Sequence, residues 1–357
     1  MISFWVDDKG LFGITNYLAD RGAGLREQFA VRKYSWSQTT LEVPGGAHIF
    51  AALDQLTPAA REGVGVIYDQ LAAQQPEAPL LNDPRRALLR EALLTTLADL
   101  GINRFRVYRG EAPDAVARFP VFVREASGHS GNLTGLLHSP RELHGALRAL
   151  RVRGRHPADL LLVEYCHTAD AGGLFRKFAA FKVGQAIIPC HLLVGRQWMM
   201  KATSDAKTVE IAQEELAYVT GNPHAAWLER VFNLAGTGFG RIDYAVQDGL
   251  PQAWEINLNP TIGRQPGAPR RIVDPEVALV RDETREVFHG RLREAFRALV
   301  PREAAGLVRV RLEPSLVARI ARESARVRRR QTVVELLDGV YSRVHLQGVL
   351  RRFFPRR

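Results

Sequence analysis

The stretch GTGFGRIDYAVQDGLPQAWEINLNP, residues 236–260, reads as two strands, 241–246 and 252–256, joined at the turn Gln247-Asp248-Gly249. Side chains along a strand alternate faces, so Arg241 and Asp243 point the same way, and Glu255 and Asn257 do likewise on the partner strand. One face of the hairpin then carries two carboxylates, an amide and an arginine. Hard oxygen donors of this kind suit a divalent cation such as Mg²⁺, whose remaining positions are filled by water and nucleotide phosphates. A neighbouring guanidinium can meet the charge that builds on a transferring phosphoryl group. The plain alternative is a solvated face laced with cross-strand ion pairs. Against it, the polar side chains of Glu255, Asn257 and Asn259 are interleaved with Trp254, Ile256 and Leu258 and need a partner. The glycines at 236, 238 and 240 do not make a dinucleotide-binding fingerprint, because they follow a helical segment and precede a strand, the reverse of what that motif requires.

Working outward, 185–194 and 175–183 read as two strands of a hairpin joined at Gly184, and 210–220 and 225–234 as helices. Upstream, 159–165 (DLLLVEY) is a buried strand, 139–150 a helix with Ser139 as N-cap and Pro140 at its first position, 119–123 (FPVFV) a short strand, and 127–131 (SGHSG) a loop of small residues. Further back, Asn82-Asp83-Pro84 signals a turn before a helix over 85–100, and 59–73 is helical beside an apolar run at 48–53. Downstream of Pro260, helices are expected over 275–299, 314–328 and 332–353.

With R-x-D (Arg241, Asp243) followed by E-x-N-x-x-P (Glu255, Asn257, Pro260), residues 82–263 resemble the ATP-grasp superfamily of carboxylate ligases. The resemblance implies an α/β (α+β) ATP-grasp fold with a leading helix and lid (85–165) and a mixed-sheet catalytic part (166–300); the residues on either side read as a small N-terminal α/β domain (1–84) and an Arg-rich helical tail (301–357). It implies ATP and Mg²⁺ as cofactors, with Asp243, Glu255 and Asn257 on the metal and Arg241 on the reacting phosphate. The loop Ser127, Gly128, His129, Ser130 and Gly131 corresponds to the lid over the phosphates, where glycines let backbone N–H groups approach. Glu164, Tyr165 and Cys166 fall at the adenine-reading hinge, Asp170 at the ribose, Lys201 on the phosphates, and Arg176 and Asn259 on the substrate side. Arg90 and Arg124 stand where family members carry lysines. Arginine keeps the charge but brings a larger, planar fork, which leaves either an active enzyme with arginine-based phosphate contacts or a degenerate site. The intact metal set favours activity. His129 and His191 are candidate general bases, though a histidine in such a place is more often a polar loop or core residue.

The function implied is an ATP- and Mg²⁺-dependent carboxylate–amine ligase that works through an acyl phosphate, releases ADP and phosphate, and takes small-molecule or peptide carboxylates and amines. A kinase acting on a hydroxyl would use the same nucleotide half. Composition agrees with a folded chain: 357 residues, 46% apolar and 24% charged, without an apolar run long enough for a membrane span, so a cytosolic protein is expected. Cys166 and Cys190 lie in apolar segments without metal-ligand spacing and read as buried small hydrophobes. The formal charge of +11 sits in residues 264–357, with 22 Arg, no Lys and 11 acidic residues, while the front of the chain is neutral. That tail could steer a nucleic acid or an acidic surface, but aromatic residues are too sparse in it for base stacking. Helices packed on the body or on a second subunit as a homodimer are the favoured expectation.

Overall fold

The structure, a computed structural model, describes residues 1–7, 10–128, 131–200, 208–262, 274–301 and 306–353, with side chains as far as 339. In chain order the elements are β1 (Ile2–Val6), α1 (Leu11–Ala19), β2 (Phe29–Lys33), β3 (Thr40–Pro44), β4 (Ala47–Phe50), α2 (Pro58–Gln74), β5 (Leu80–Leu81) and α3 (Arg90–Asp99). There follow β6 (Val107–Arg109), β7 (Val121–Glu125), α4 (Pro140–Val152) and β8 (Leu160–Glu164), then β9 (Phe175–Val183), β10 (Ala186–Gly195), α5 (Val209–Gly221), α6 (Ala225–Leu234), β11 (Phe239–Gln247), β12 (Leu250–Asn257), α7 (Pro275–Leu299), β13 (Leu307–Arg311) and α8 (Pro314–Phe353). They gather into two compact units, one of Met1–Arg104 with Cys166–Val317, the other of Phe105–Tyr165 with Ala318–Arg357. No helix among the described residues is long and apolar enough to cross a membrane.

The first unit holds a parallel sheet in the order β2-β1-β4-β5 and an antiparallel sheet in the order β10-β9-β11-β12. Every residue of β1 (ISFWV) is buried, as a strand covered on both faces requires. Its Phe4 meets Phe239 of β11 edge-on at 5.3 Å between ring centroids, and Phe4, Phe239 and Phe296 of α7 belong to one apolar core. Asn82 fastens β4 to β11: its amide nitrogen donates to Phe50 O (3.1 Å) and Phe239 O (2.9 Å), and its oxygen accepts from the N–H groups of Gly238 (2.9 Å) and Phe239 (3.0 Å). Asn82→Ala leaves these buried groups without their partner, and chemical denaturation should read a loss of about 3 to 5 kcal/mol.

Three expectations for the elements are corrected. The helix expected from 85 starts at Arg90, because the chain between them is a turn: Asp83 accepts from the Arg85 N–H, and the Leu88 N–H donates to Ala235 O instead of within a helix. The two helices expected over 314–328 and 332–353 are one, since the Thr332 hydroxyl donates back to Arg328 O within the helix and does not end it. The tail also begins with a strand: β13 pairs antiparallel with β3, burying Val308 and Val310 and exposing Leu307, Arg309 and Arg311.

His48 and His289 are buried in the first unit, and burial pulls each imidazole down to about 4, with nearby arginines adding to the effect. Folded-state pKa values below the unfolded value of about 6.5 mean that the unfolded chain binds the extra protons. Stability is therefore full above pH ~6.5 and falls as pH drops toward ~4, by about 2 kcal/mol per histidine at pH 5. Thermal unfolding at pH 7.5 and pH 5 checks this, and His48→Gln should remove about half of the difference.

In the second unit an antiparallel sheet in the order β6-β8-β7 and α4 enclose a core of Val121, Val123, Leu143, Leu150, Leu160 and Leu162. Ser139 caps α4 as expected, accepting from the Glu142 N–H. The same unit includes α8 from Ala318 onward, and its Asp338 accepts from Arg153 Nε and from a terminal nitrogen of Arg155, both at 2.7 Å.

Candidate active site

The turn at Asp248 and Gly249, both with positive φ, is a two-residue hairpin loop, and it pairs Gln247 with Leu250. Carried back without interruption, that register would set Asp243 opposite Trp254 and turn Glu255 to the other face. A bulge prevents this. The pairing shifts by one residue between Asp243 and Tyr244, leaving Trp254 as the extra residue, so that Asp243 faces Glu255 and Arg241 faces Asn257. A second bulge, at Cys190 of β10, brings His191 opposite Ala179 of β9, which is itself opposite Asp243. His191, Ala179, Asp243 and Glu255 thus form one row across four strands. Gly240 precedes Arg241 where space is short: a Cβ there would lie 3.0 Å from Asn257 O and 3.1 Å from Ile256.

Cations hold both carboxylates of the row. Arg241 Nε donates to Asp243 Oδ1 (2.9 Å), Lys177 Nζ lies 2.5 Å from Asp243 Oδ2, and Arg90 donates to Glu255 Oε2 (2.7 Å). Burial alone would raise the Asp243 carboxyl, but Arg241 and Lys177 outweigh it and hold it below the usual range. Burial would likewise lower Arg241, but Asp243, with Cys190 and Glu255 nearby, more than offsets it and holds the guanidinium above its usual range. Burial first, then Arg241, pulls His191 down to about 3, so its ring is neutral, and burial pushes the Cys190 thiol up. Among the described residues, these ion pairs set three cations, Arg241, Lys177 and Arg90, against two carboxylates. No cluster of three or more His, Cys, Asp or Glu side chains that could hold a metal occurs among the described residues. The donors on this face, two carboxylates and the Asn257 amide, are hard oxygens whose chemistry fits Mg²⁺, and the cations beside them suit a polyanion.

No family model and no curated protein matches the sequence. Solved structures do. The chain is similar to solved ATP-grasp proteins. A RimK-domain ATP-grasp protein from Sphaerobacter thermophilus is 16% identical, covering 81% of this chain and 98% of its own, with a TM-score of 0.42. D-alanyl-alanine synthetase A from Vibrio cholerae is 13% identical over 84% and 97%, with a TM-score of 0.48. The ATP-grasp ligase PsnB, complexed with a minimal precursor, is 14% identical over 84% and 98%, also at 0.48.

The remaining residues named from the ATP-grasp resemblance are distributed as follows. Arg90, the first residue of α3, joins the row through Glu255. Asn257 Oδ1 accepts from the Asn259 N–H (2.8 Å), and the Asn259 amide donates to Gly10 O (3.1 Å). Arg176 does not join the row: one residue before Lys177 on β9, it projects from the other face and pairs with Glu214 of α5 and with Asp170. There it lines a cleft of about 380 Å³ together with Asp170, Phe178, Val246 and Asp248. Asp170 also accepts from the N–H groups of Gly172 and Leu174, so it shapes its own loop. Cys166 and Cys190 are unbridged and partly exposed, less buried than expected, and the Cys166 thiol contacts Gln247 Oε1 at 3.2 Å.

Within the second unit, Glu164 is buried and its carboxylate accepts from the Arg106 N–H (3.0 Å), the Tyr108 hydroxyl (2.9 Å) and the Arg118 guanidinium (2.6 Å). The Tyr165 N–H donates to Pro120 O. Arg124 lies on β7, paired with Leu161 of β8 and bridged to Asn132. Ser127 and Gly128 follow β7, and Gly131 has a positive φ of 92°. His129, Ser130 and Lys201 lie outside the described residues. The residue that sequence reasoning missed is Lys177. Its signal was compositional: it is one of six lysines in a chain with 43 arginines.

Proposed function

We propose that this chain is an ATP- and Mg²⁺-dependent carboxylate–amine ligase of the ATP-grasp type. The observation that carries the reading is the row on β9, β11 and β12: Asp243 opposite Glu255, Arg241 opposite Asn257, with Arg241, Lys177 and Arg90 paired to the two carboxylates. Bound ATP and Mg²⁺ supply a γ-phosphoryl group that turns a carboxylate into an acyl phosphate, which an amine opens with loss of phosphate. Asp243, Glu255 and Asn257 would hold the cation through hard oxygens. Arg241, kept charged by Asp243, would stabilise charge on the phosphoryl oxygens. Arg90 fixes the Glu255 carboxylate against which the cation would sit. His191 is a poor general base, because an imidazole drawn down to about 3 has little proton affinity near neutral pH. Little covalent work falls to the protein, and alignment with electrostatics supplies most of the rate.

A coupled assay for ADP and phosphate, run with ATP, Mg²⁺ and a panel of amino acids, short peptides and amines, tests the reading. It predicts ADP and phosphate in step with an amide found by mass spectrometry. AMP and pyrophosphate would contradict it, and a phosphorylated product without an amide would favour a kinase on the same fold.

A further inference from the structure

Lys177 has no place in the metal set, yet it is bound into it. It lies two residues before Ala179 on β9, and so on the same face as Asp243, with 18% of its side chain exposed against 3% for Asp243. The two oxygens of Asp243 are divided: Oδ1 is held by Arg241 Nε at 2.9 Å, and Oδ2 by Lys177 at 2.5 Å, with Arg241 Nη2 further off at 3.4 Å. A divalent cation arriving alone would have to take Oδ2 from an ammonium and add two charges beside that ammonium, Arg241 and Arg90. At a largely buried position this repulsion is weakly screened. A polyphosphate arriving with the cation removes the difficulty, since it offers the ammonium new oxygens.

We propose that Lys177 is a positioning residue that holds Asp243 Oδ2 in the nucleotide-free protein and passes to a phosphate oxygen when nucleotide binds, so that the metal enters only together with the polyphosphate. The residue type fits the task. A lysine is a point charge on a flexible stem and can move between acceptors, whereas the fork of Arg241 stays on the same carboxylate and keeps it oriented. The inference rests on reading this face as a Mg²⁺–ATP site.

The test uses the full chain and Mn²⁺ as the probe, followed by its electron paramagnetic resonance signal in the absence of nucleotide, with Mg²⁺–ATP binding followed separately by calorimetry. Lys177→Met should bind Mn²⁺ alone at least about tenfold more tightly than the unaltered protein and Mg²⁺–ATP about tenfold more weakly. Lys177→Arg, which keeps the charge at Asp243, should gain nothing for Mn²⁺ alone; it also guards against a folding defect in the methionine variant. Equal Mn²⁺ binding by the unaltered protein and Lys177→Met overturns the role of Lys177 while Mg²⁺–ATP binding persists. Failure of the unaltered protein to take up Mg²⁺–ATP at all overturns the site and this inference together.

Discussion

Asp243→Asn is expected to lower turnover by about a hundred- to a thousandfold and to destabilise the fold by about 3 to 5 kcal/mol. Both effects have one origin. Asp243 is buried and its carboxylate neutralises Arg241 and Lys177, so an amide in its place leaves two cations facing a group without charge. The same change removes an anionic oxygen from the set that would hold Mg²⁺. Chemical denaturation and a steady-state ADP assay read the two losses separately. Near wild-type stability would mean that the cations find other partners and that the carboxylate does not organise the face.

Glu255→Gln should separate these effects. An amide oxygen can still accept from Arg90, so the stability loss should stay near about 1 to 2 kcal/mol, while turnover falls by about a hundredfold or more. Arg90→Gln reports on the same contact from the other side: Glu255 keeps its charge but loses this ion pair, and the rate should fall less than in Glu255→Gln. A variant Glu255→Gln turning over at the unaltered rate would make the Arg90–Glu255 pair a structural ion pair and nothing more.

The hairpin was legible because its polar residues alternate along two apolar strands around Asp248-Gly249, and alternation follows directly from backbone geometry. Its register was not. Placing Glu255 on the Asp243 face depends on the bulge at Trp254, and a bulge depends on tertiary fit: the Asn103 amide pairs with both backbone groups of Ala253 beside it. The bulge at Cys190, which sets His191 in the row, was hidden for the same reason. Strand β1 escaped notice because five consecutive buried residues show no alternation, and β13 because LVRVR lies in an Arg-rich stretch read as helix. Lys177 was passed over because FRKFAAFKV reads as a strand with two ordinary lysines, and only the fold reveals that Lys177 meets Asp243 while Lys182 is buried against Asn233.

The most direct test of the ligase reading follows the oxygen of the carboxylate. With ATP, Mg²⁺, an amine and a carboxylate labelled in both oxygens with ¹⁸O, displacement of an acyl phosphate leaves the bridging oxygen on the phosphate. The account predicts one ¹⁸O in the released phosphate for each amide formed, read by mass spectrometry. Unlabelled phosphate beside an amide, or label carried into AMP, would contradict it.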